Sequence, residues 1–247
     1  MRLDVYLTEN GICKSRTAAQ SLIKSGGVLV GGKVCMKPSA DVTAAVEIVG
    51  EQLRYVGRGG LKLEKALDYF GTDLNGALCI DIGASTGGFT DCMLQNGAAK
   101  VFAVDVGRGQ LDGKLRTDSR VVSLEQTDIR NFDPEKYGTV GADFIGTDVS
   151  FISLKMIFPH IKRLLRVGGT ACVLIKPQFE VGQSMCADRS ALNKNGIVRD
   201  EKIRLKIVEE IKTAAVENGL TVLGTAESPI KGGDGNTEYL LGLRREA

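Results

Sequence analysis

One short stretch constrains this 247-residue chain more than any other. Leu78-Cys79-Ile80-Asp81-Ile82 is a short apolar run interrupted by a single carboxylate, the pattern of a buried strand. It runs directly into Gly83-Ala84-Ser85-Thr86-Gly87-Gly88. Residues 89–95 then have helical character and stop at Asn96-Gly97. A strand, a glycine-rich turn and a helix in that order open a doubly wound α/β sheet. The rest of the chain continues the alternation. Strands are expected at 100–105, 121–124, 143–147, 170–175, 220–226 and 237–243, and helices at 154–165 and 201–218. Ahead of them, Leu61, Leu63, Ala66, Leu67 and Phe70 form a helical stripe after a glycine-rich junction at 57–60.

The first 57 residues read differently and are expected to form a small separate α+β domain, with the α/β domain over 58–247. Leu3, Val5, Tyr6 and Leu7 start an apolar face that Gly11 stops. Ser15 is placed as an N-cap before a helix over 16–24. Val28-Leu29-Val30, Gly31-Gly32 and Lys33-Val34-Cys35-Met36 predict a hairpin with a glycine turn, and a further strand is expected at 46–49. Charge is uneven. Residues 1–62 hold nine basic and five acidic side chains, so a chain of net charge +2 has a front end carrying a surplus of four. A basic front end suits a polyanionic partner.

Other function classes lose ground on composition. No apolar run approaches the 18–20 residues or so that span a bilayer, and Met1-Arg2-Leu3-Asp4 opens no signal peptide, so a cytoplasmic protein is expected. Six cysteines include no CxxC pair and there is one histidine, His160, so neither a zinc site nor a mechanism needing two histidines is expected. The cysteines read as reduced thiols, several in the core.

The glycine-rich turn sits where such sheets bind ligands, at the carboxyl end of a strand. No Lys-Ser/Thr follows the glycines, which excludes a P-loop. A dinucleotide remains open on the turn alone. Two carboxylates favour S-adenosylmethionine: Asp81 inside the strand before the turn, and Asp105 at the end of the next strand, where it can accept hydrogen bonds from ribose hydroxyls. The expected cofactor set is Asp81, Gly83, Ala84, Ser85, Thr86, Gly87, Gly88, Phe89 and Asp105. Asp128 is added as either an adenine contact or a cap. Four more charged residues stand beside apolar runs: Lys62, Asp148, Lys176 and Glu238. Singly, each fits a structural ion pair as well as a site.

The residues also carry a resemblance. The order and spacing of Arg2-Leu3-Asp4, Leu7, Gly11, Ser15-Arg16, Ala19, Leu22-Ile23, Gly26, Val28 to Gly32 and Lys37-Pro38-Ser39 resemble the alpha-L RNA-binding domain, first named from a small-subunit ribosomal protein. That resemblance implies RNA contacts from Arg16, Lys24, Lys33 and Lys37; Arg2 and Arg58 are further basic candidates. The order Lys62, Asp148, Lys176, Glu238 is similar to the tetrad of FtsJ-type ribose 2′-O-methyltransferases. The whole chain resembles the TlyA family, historically labelled haemolysins, most distinctively in Arg58-Gly59-Gly60-Leu61-Lys62-Leu63 and in the block from Thr147 to Leu154.

The resemblance implies a Rossmann-like methyltransferase sheet and methylation of ribosomal RNA or ribosomal subunits at a cytidine ribose. Neither a metal nor a membrane is expected to take part. A neutral Lys176 would take the hydroxyl proton, Lys62 would add a second positive charge, and Asp148 and Glu238 would position them. Three alternatives stay open at this point: a catalytically silent RNA-binding assembly factor, a membrane-lytic protein and a base methyltransferase. The polar stretch 180–199 and the loop 228–236 with Lys231 are expected to cover substrate or simply to face solvent.

Overall fold

The computed structural model describes residues 1–13, 15–24, 27–48, 54–137, 141–232 and 235–247. The chain divides into two compact units, Met1–Arg58 and Gly59–Ala247.

In the first unit, α1 (Leu3–Glu9) and α2 (Arg16–Lys24) precede a small sheet of β1 (Val28–Val30), β2 (Lys33–Val34) and β3 (Val46–Ile48). β1 lies between the other two and is antiparallel to both. Leu3 and Leu7 recur at helical spacing on α1, as do Ala19, Leu22 and Ile23 on α2; all five are buried with Val28. Ser15 caps α2 as expected, its hydroxyl accepting the Ala18 N–H at 3.2 Å. Gly31 and Gly32 both take positive φ, 58° and 74°, the pair a tight hairpin turn requires. The second hairpin strand ends at Val34, short of the expected Met36. Val49, at the end of the last expected strand, lies outside the described residues, as does Gly26.

The second unit opens with α3 (Gly59–Phe70), followed by β4 (Leu78–Ile82), α4 (Gly88–Gln95), β5 (Lys100–Val104), α5 (Gly113–Arg116) and β6 (Val121–Leu124). β7 (Ala142–Thr147), α6 (Phe158–Leu164), β8 (Leu165–Ile175), α7 (Pro177–Glu180), α8 (Glu201–Glu217), β9 (Thr221–Glu227) and β10 (Tyr239–Arg244) complete it. The seven strands lie in the order β6-β5-β4-β7-β8-β10-β9. β10 alone runs against the others. The order reverses at β4, which has β5 on one side and β7 on the other, so the switch point lies at the glycine-rich turn. α4 is buried at every residue from Gly88 to Leu94, which explains why its sequence shows no polar face. Phe102, Phe144 and Phe158 are among the largest fully buried side chains, each contributing about 2–3 kcal/mol by burial.

Four expectations shift. The unit boundary falls inside the expected junction, but Gly59 and Gly60 already form the first turn of α3, and it is Lys62, not Leu61, that is buried with Leu63, Ala66 and Leu67. The helix expected over 154–165 is interrupted: a 3₁₀ turn spans Leu154–Met156 and α6 starts at Phe158, with Pro159 in its first turn. Proline lacks the N–H that a continuous helix would use there. β8 begins at Leu165 rather than 170, because Leu165 already pairs with Ala142 before the register shifts. β10 starts at Tyr239, so Glu238 precedes the strand rather than standing in it. All six cysteines are free thiols, with Cys13, Cys79, Cys92 and Cys172 buried.

Candidate active site

Strand register gathers the expected residues. The exits of β4, β5, β7 and β8 lie along one edge of the sheet, with Ile82 beside both Val104 and Thr147. Asp148 therefore follows β7 next to Gly83, and its N–H donates to the Ile82 carbonyl at 3.0 Å. Lys176 follows β8. Because β10 is antiparallel, its first residue Tyr239 pairs with Ile175, the last of β8, which sets Glu238 opposite Lys176. α3 supplies Lys62 from a helix rather than a strand.

The four charges form a continuous chain. Lys62 Nζ donates to Glu238 Oε2 at 2.6 Å and lies 3.7 Å from Asp148 Oδ2. Asp148 Oδ1 is 2.5 Å from Lys176 Nζ, which donates onward to Ser150 Oγ at 3.0 Å. Two lysines thus share one carboxylate. Lys62, Lys176 and Glu238 are each at most 9% exposed. Charges this far from water persist when paired and hydrogen-bonded, and here two cations meet two anions. Asp148 is the most open member, its side chain 20% exposed.

The glycine-rich turn is held in a shape that side chains would disrupt. Gly83 has φ +83°, and a Cβ there would come 2.7 Å from the Asp148 carbonyl oxygen. Gly87 has φ +95°, and a Cβ there would strike Leu115. Ser85 between them also takes a positive φ of 48°. Asp105 Oδ2 accepts the Ser85 N–H at 2.8 Å and its Oδ1 accepts the Gly107 N–H at 2.6 Å. Asp81 is fully buried where α4 begins, its Oδ2 accepting both the N–H (2.8 Å) and the hydroxyl (2.6 Å) of Thr90. Its other oxygen, Oδ1, has no hydrogen-bond partner. Burial pushes Asp81 up to about 7, against the pull of the Thr90 bonds. A carboxylate with an acceptor to spare and an acid at the next strand exit suit the ammonium and ribose of S-adenosylmethionine.

The other members of the expected cofactor set fall into distinct places. Ser85 and Thr86 are exposed, whereas Ala84, Gly87 and Gly88 are buried. Phe89 is 3% exposed, its ring packed within reach of Gly59 and Gly146, so the structure gives it a packing role. Asp128 accepts Arg130 through both oxygens and caps the short 3₁₀ turn after it, which is the cap reading of that residue. Among the basic candidates of the first unit, Arg2 and Arg16 converge on one buried carboxylate. Asp4 accepts Arg2 Nε and Nη2 at 3.0 Å each, Arg16 Nη2 at 3.0 Å and Gln20 at 2.9 Å. Those bonds, Arg2's above all, hold Asp4 well below the usual carboxylate range. Both guanidinium groups remain about half exposed. Lys33 and Lys37 are exposed, Arg58 is half-buried, and Lys24 ends α2. Backbone bonds from Leu3 to Ala40 and from Asp4 to Pro38 hold the Lys37 turn against the start of α1.

Sequence reading missed several residues. Asn236 is 1% exposed; its amide accepts the Val198 N–H and donates to the Gly196 carbonyl, tying the polar stretch 180–199 to the segment entering β10. Arg204 adds a second tie, donating to the carbonyls of Val198 and Arg199 and to the Tyr239 hydroxyl. Glu125 accepts three successive backbone N–H groups, of Gly109, Gln110 and Leu111, and so shapes the loop after Asp105. Phe151 is 89% exposed with φ +65°, and its ring lies 4.8 Å from that of Phe179. A bulky residue in that backbone region is a signal of function, but one invisible in sequence.

Comparison with known proteins identifies the family. A family model described as FtsJ-like methyltransferase matches residues 55–245, and one for the S4 domain matches residues 1–48. Hemolysin A of Brachyspira hyodysenteriae is 43% identical over 97% of this chain and 98% of its own length. The 16S/23S rRNA (cytidine-2'-O)-methyltransferase TlyA of Mycobacterium tuberculosis is 39% identical over 99% of this chain and 90% of that one. A solved structure of a hemolysin-labelled protein from Streptococcus thermophilus is 44% identical, covers 100% of this chain and 88% of its own, and superposes with a TM-score of 0.78. Matched by the catalytic model over 55–245 and by such relatives almost end to end, the chain belongs to the FtsJ-like methyltransferases, within the TlyA family.

Proposed function

We propose that this protein transfers a methyl group from S-adenosylmethionine to a cytidine ribose 2′-hydroxyl of ribosomal RNA, within a ribosomal subunit. The observation that carries the reading is the buried chain Glu238–Lys62–Asp148–Lys176, assembled from four separate elements beside the glycine-rich turn. The cofactor supplies an electrophilic methyl group on a sulfonium. A ribose hydroxyl is a weak nucleophile, so the protein must align it and receive its proton. Lys176 receives that proton after releasing its own, since an ammonium paired with Asp148 cannot accept one. Asp148 and Ser150 aim its Nζ. Lys62, held between Glu238 and Asp148, keeps a second positive charge beside the reacting oxygen. Asp81 and Asp105 hold the cofactor's ammonium and ribose at the turn, with Gly83, Ser85, Thr86 and Gly87 forming the cradle. The exposed Phe151 ring, packed against half-buried Phe179, offers an aromatic face to a nucleobase next to Lys176.

The S4 unit docks the enzyme on structured RNA through phosphate contacts from Arg2, Arg16, Lys24, Lys33 and Lys37, with Arg58 adding charge at its end. Among the described residues, no helix is long and apolar enough to cross a membrane, and no cluster of three or more metal-binding side chains occurs. The test is methyl transfer from labelled S-adenosylmethionine to purified small and large ribosomal subunits lacking the modification, followed by mapping of the labelled nucleotide. A 2′-O-methylcytidine that disappears with Lys176→Ala supports the reading. Cofactor binding with no label in any subunit would leave an RNA-binding assembly factor.

A further inference from the structure

Glu180 is a buried charge outside the chain of ion pairs, only 3% exposed. A carboxylate in the core is costly unless its oxygens are satisfied, and burial pushes this one up. Its Oε2 accepts the Ser153 hydroxyl at 2.5 Å and its Oε1 accepts the Leu154 N–H at 2.9 Å. Where those bonds lead is the point. Glu180 ends α7, the helix that begins immediately after Lys176. Ser153 and Leu154 lie just beyond Asp148 on the segment leaving β7. One buried carboxylate therefore ties together the two strand exits that carry Asp148 and Lys176.

Between the tied points stand Ser150, which accepts from Lys176, and Phe151 in its left-handed conformation. That conformation persists only if the surroundings impose it. Phe179, next to Glu180, contributes the ring against Phe151. Phe151 is exposed and Phe179 and Asp148 are only half-buried, so the Glu180 bonds are the buried part of the connection. We infer that Glu180 is a positioning residue for methyl transfer: it fixes the 148–153 turn against α7 and so sets the spacing of Lys176, Asp148 and Ser150. The inference rests on the function proposed above.

Glutamine can replace it in kind. Its carbonyl accepts the Leu154 N–H and its amide donates to the Ser153 hydroxyl, which can also accept. Alanine can do neither. The experiment compares Glu180→Gln, Glu180→Ala and Ser153→Ala with the unaltered protein. Single-turnover methyl transfer to unmodified ribosomal subunits is read beside cofactor affinity and melting temperature. Glu180→Ala is expected to bind the cofactor normally but to transfer about 100-fold more slowly, the effect of an ångström of misplacement. Glu180→Gln recovers most of the rate. A folded Glu180→Ala that transfers at the normal rate overturns the inference, as does a parallel loss of rate, cofactor affinity and melting temperature in both variants. If Glu180→Ala does not fold, Ser153→Ala decides: slower transfer at unchanged cofactor affinity supports positioning, and an unchanged rate refutes it. If the unaltered protein itself transfers no methyl group, the functional reading fails and takes this inference with it.

Discussion

Replacing Asp81 by asparagine should make the cofactor-free catalytic unit more stable at pH 8 while weakening its cofactor site. Asp81 is fully buried and titrates at about 7, against 3.8 ordinarily. Its folded value is raised, so its favourable contribution is fully present below about pH 4, falls as the pH rises, and is gone above 7. The gap of about three pH units, at about 1.4 kcal/mol each, amounts to about 4 kcal/mol of penalty at pH 8. Asparagine removes the charge and keeps an oxygen for Thr90. Its amide donors would then stand where Oδ1 has no partner, at a cost of about 1–3 kcal/mol. The net gain at pH 8 is about 1–3 kcal/mol.

The sharper quantity is the pH dependence, because every other group cancels between variant and parent. From pH 5 to pH 8 the stability difference should move by about 2–3 kcal/mol in favour of asparagine. Native-state hydrogen exchange at the core amides of β4 and β5, without cofactor, reads this unit alone. A difference that stays constant between the two pH values would refute the argument that burial dominates at Asp81. S-adenosylmethionine should bind the variant about tenfold or more weakly at pH 8, since a charged acceptor is lost.

Other outcomes follow from the same structure. Lys176→Ala should keep cofactor affinity, by calorimetry, and lose methyl transfer by about 100-fold or more in single turnover; near-normal turnover would remove Lys176 from its role. Arg2→Ala and Arg16→Ala should each flatten the slope of log affinity against log salt by about 1, measured on rRNA binding, with little effect on cofactor affinity. Asn236→Ala strands the Val198 N–H and the Gly196 carbonyl; it should cost about 2 kcal/mol by urea unfolding of the catalytic unit and slow methyl transfer through the displaced Glu238 segment.

Much of this protein could be read from its sequence for physical reasons. Strand and helix periods are local, so the α/β alternation, the Ser15 cap and the Gly31-Gly32 hairpin needed no tertiary information. The glycine-rich turn and the candidate charged residues were likewise visible, because glycines and charges stand out against apolar runs, although Lys62 lies on a helix and not at a strand end. Element boundaries were less legible. Pro159 split a helix that periodicity ran together, and Leu165 joined its strand early through pairing with distant Ala142.

What only the tertiary structure decided is how the charges meet. Nothing in the spacing of Lys62 and Glu238, 176 residues apart, sets a 2.6 Å contact; it follows from α3 packing against β10, whose entry carries Glu238. The same holds for Asp4, an ordinary acid in sequence that becomes a buried hub for two arginines, and for Glu180 and Asn236, whose value lies in the backbone groups they reach. Side-chain chemistry is written residue by residue, but burial and partnership are properties of packing. Whether a charge is solvent-exposed or part of a site is therefore settled only when the chain closes on itself.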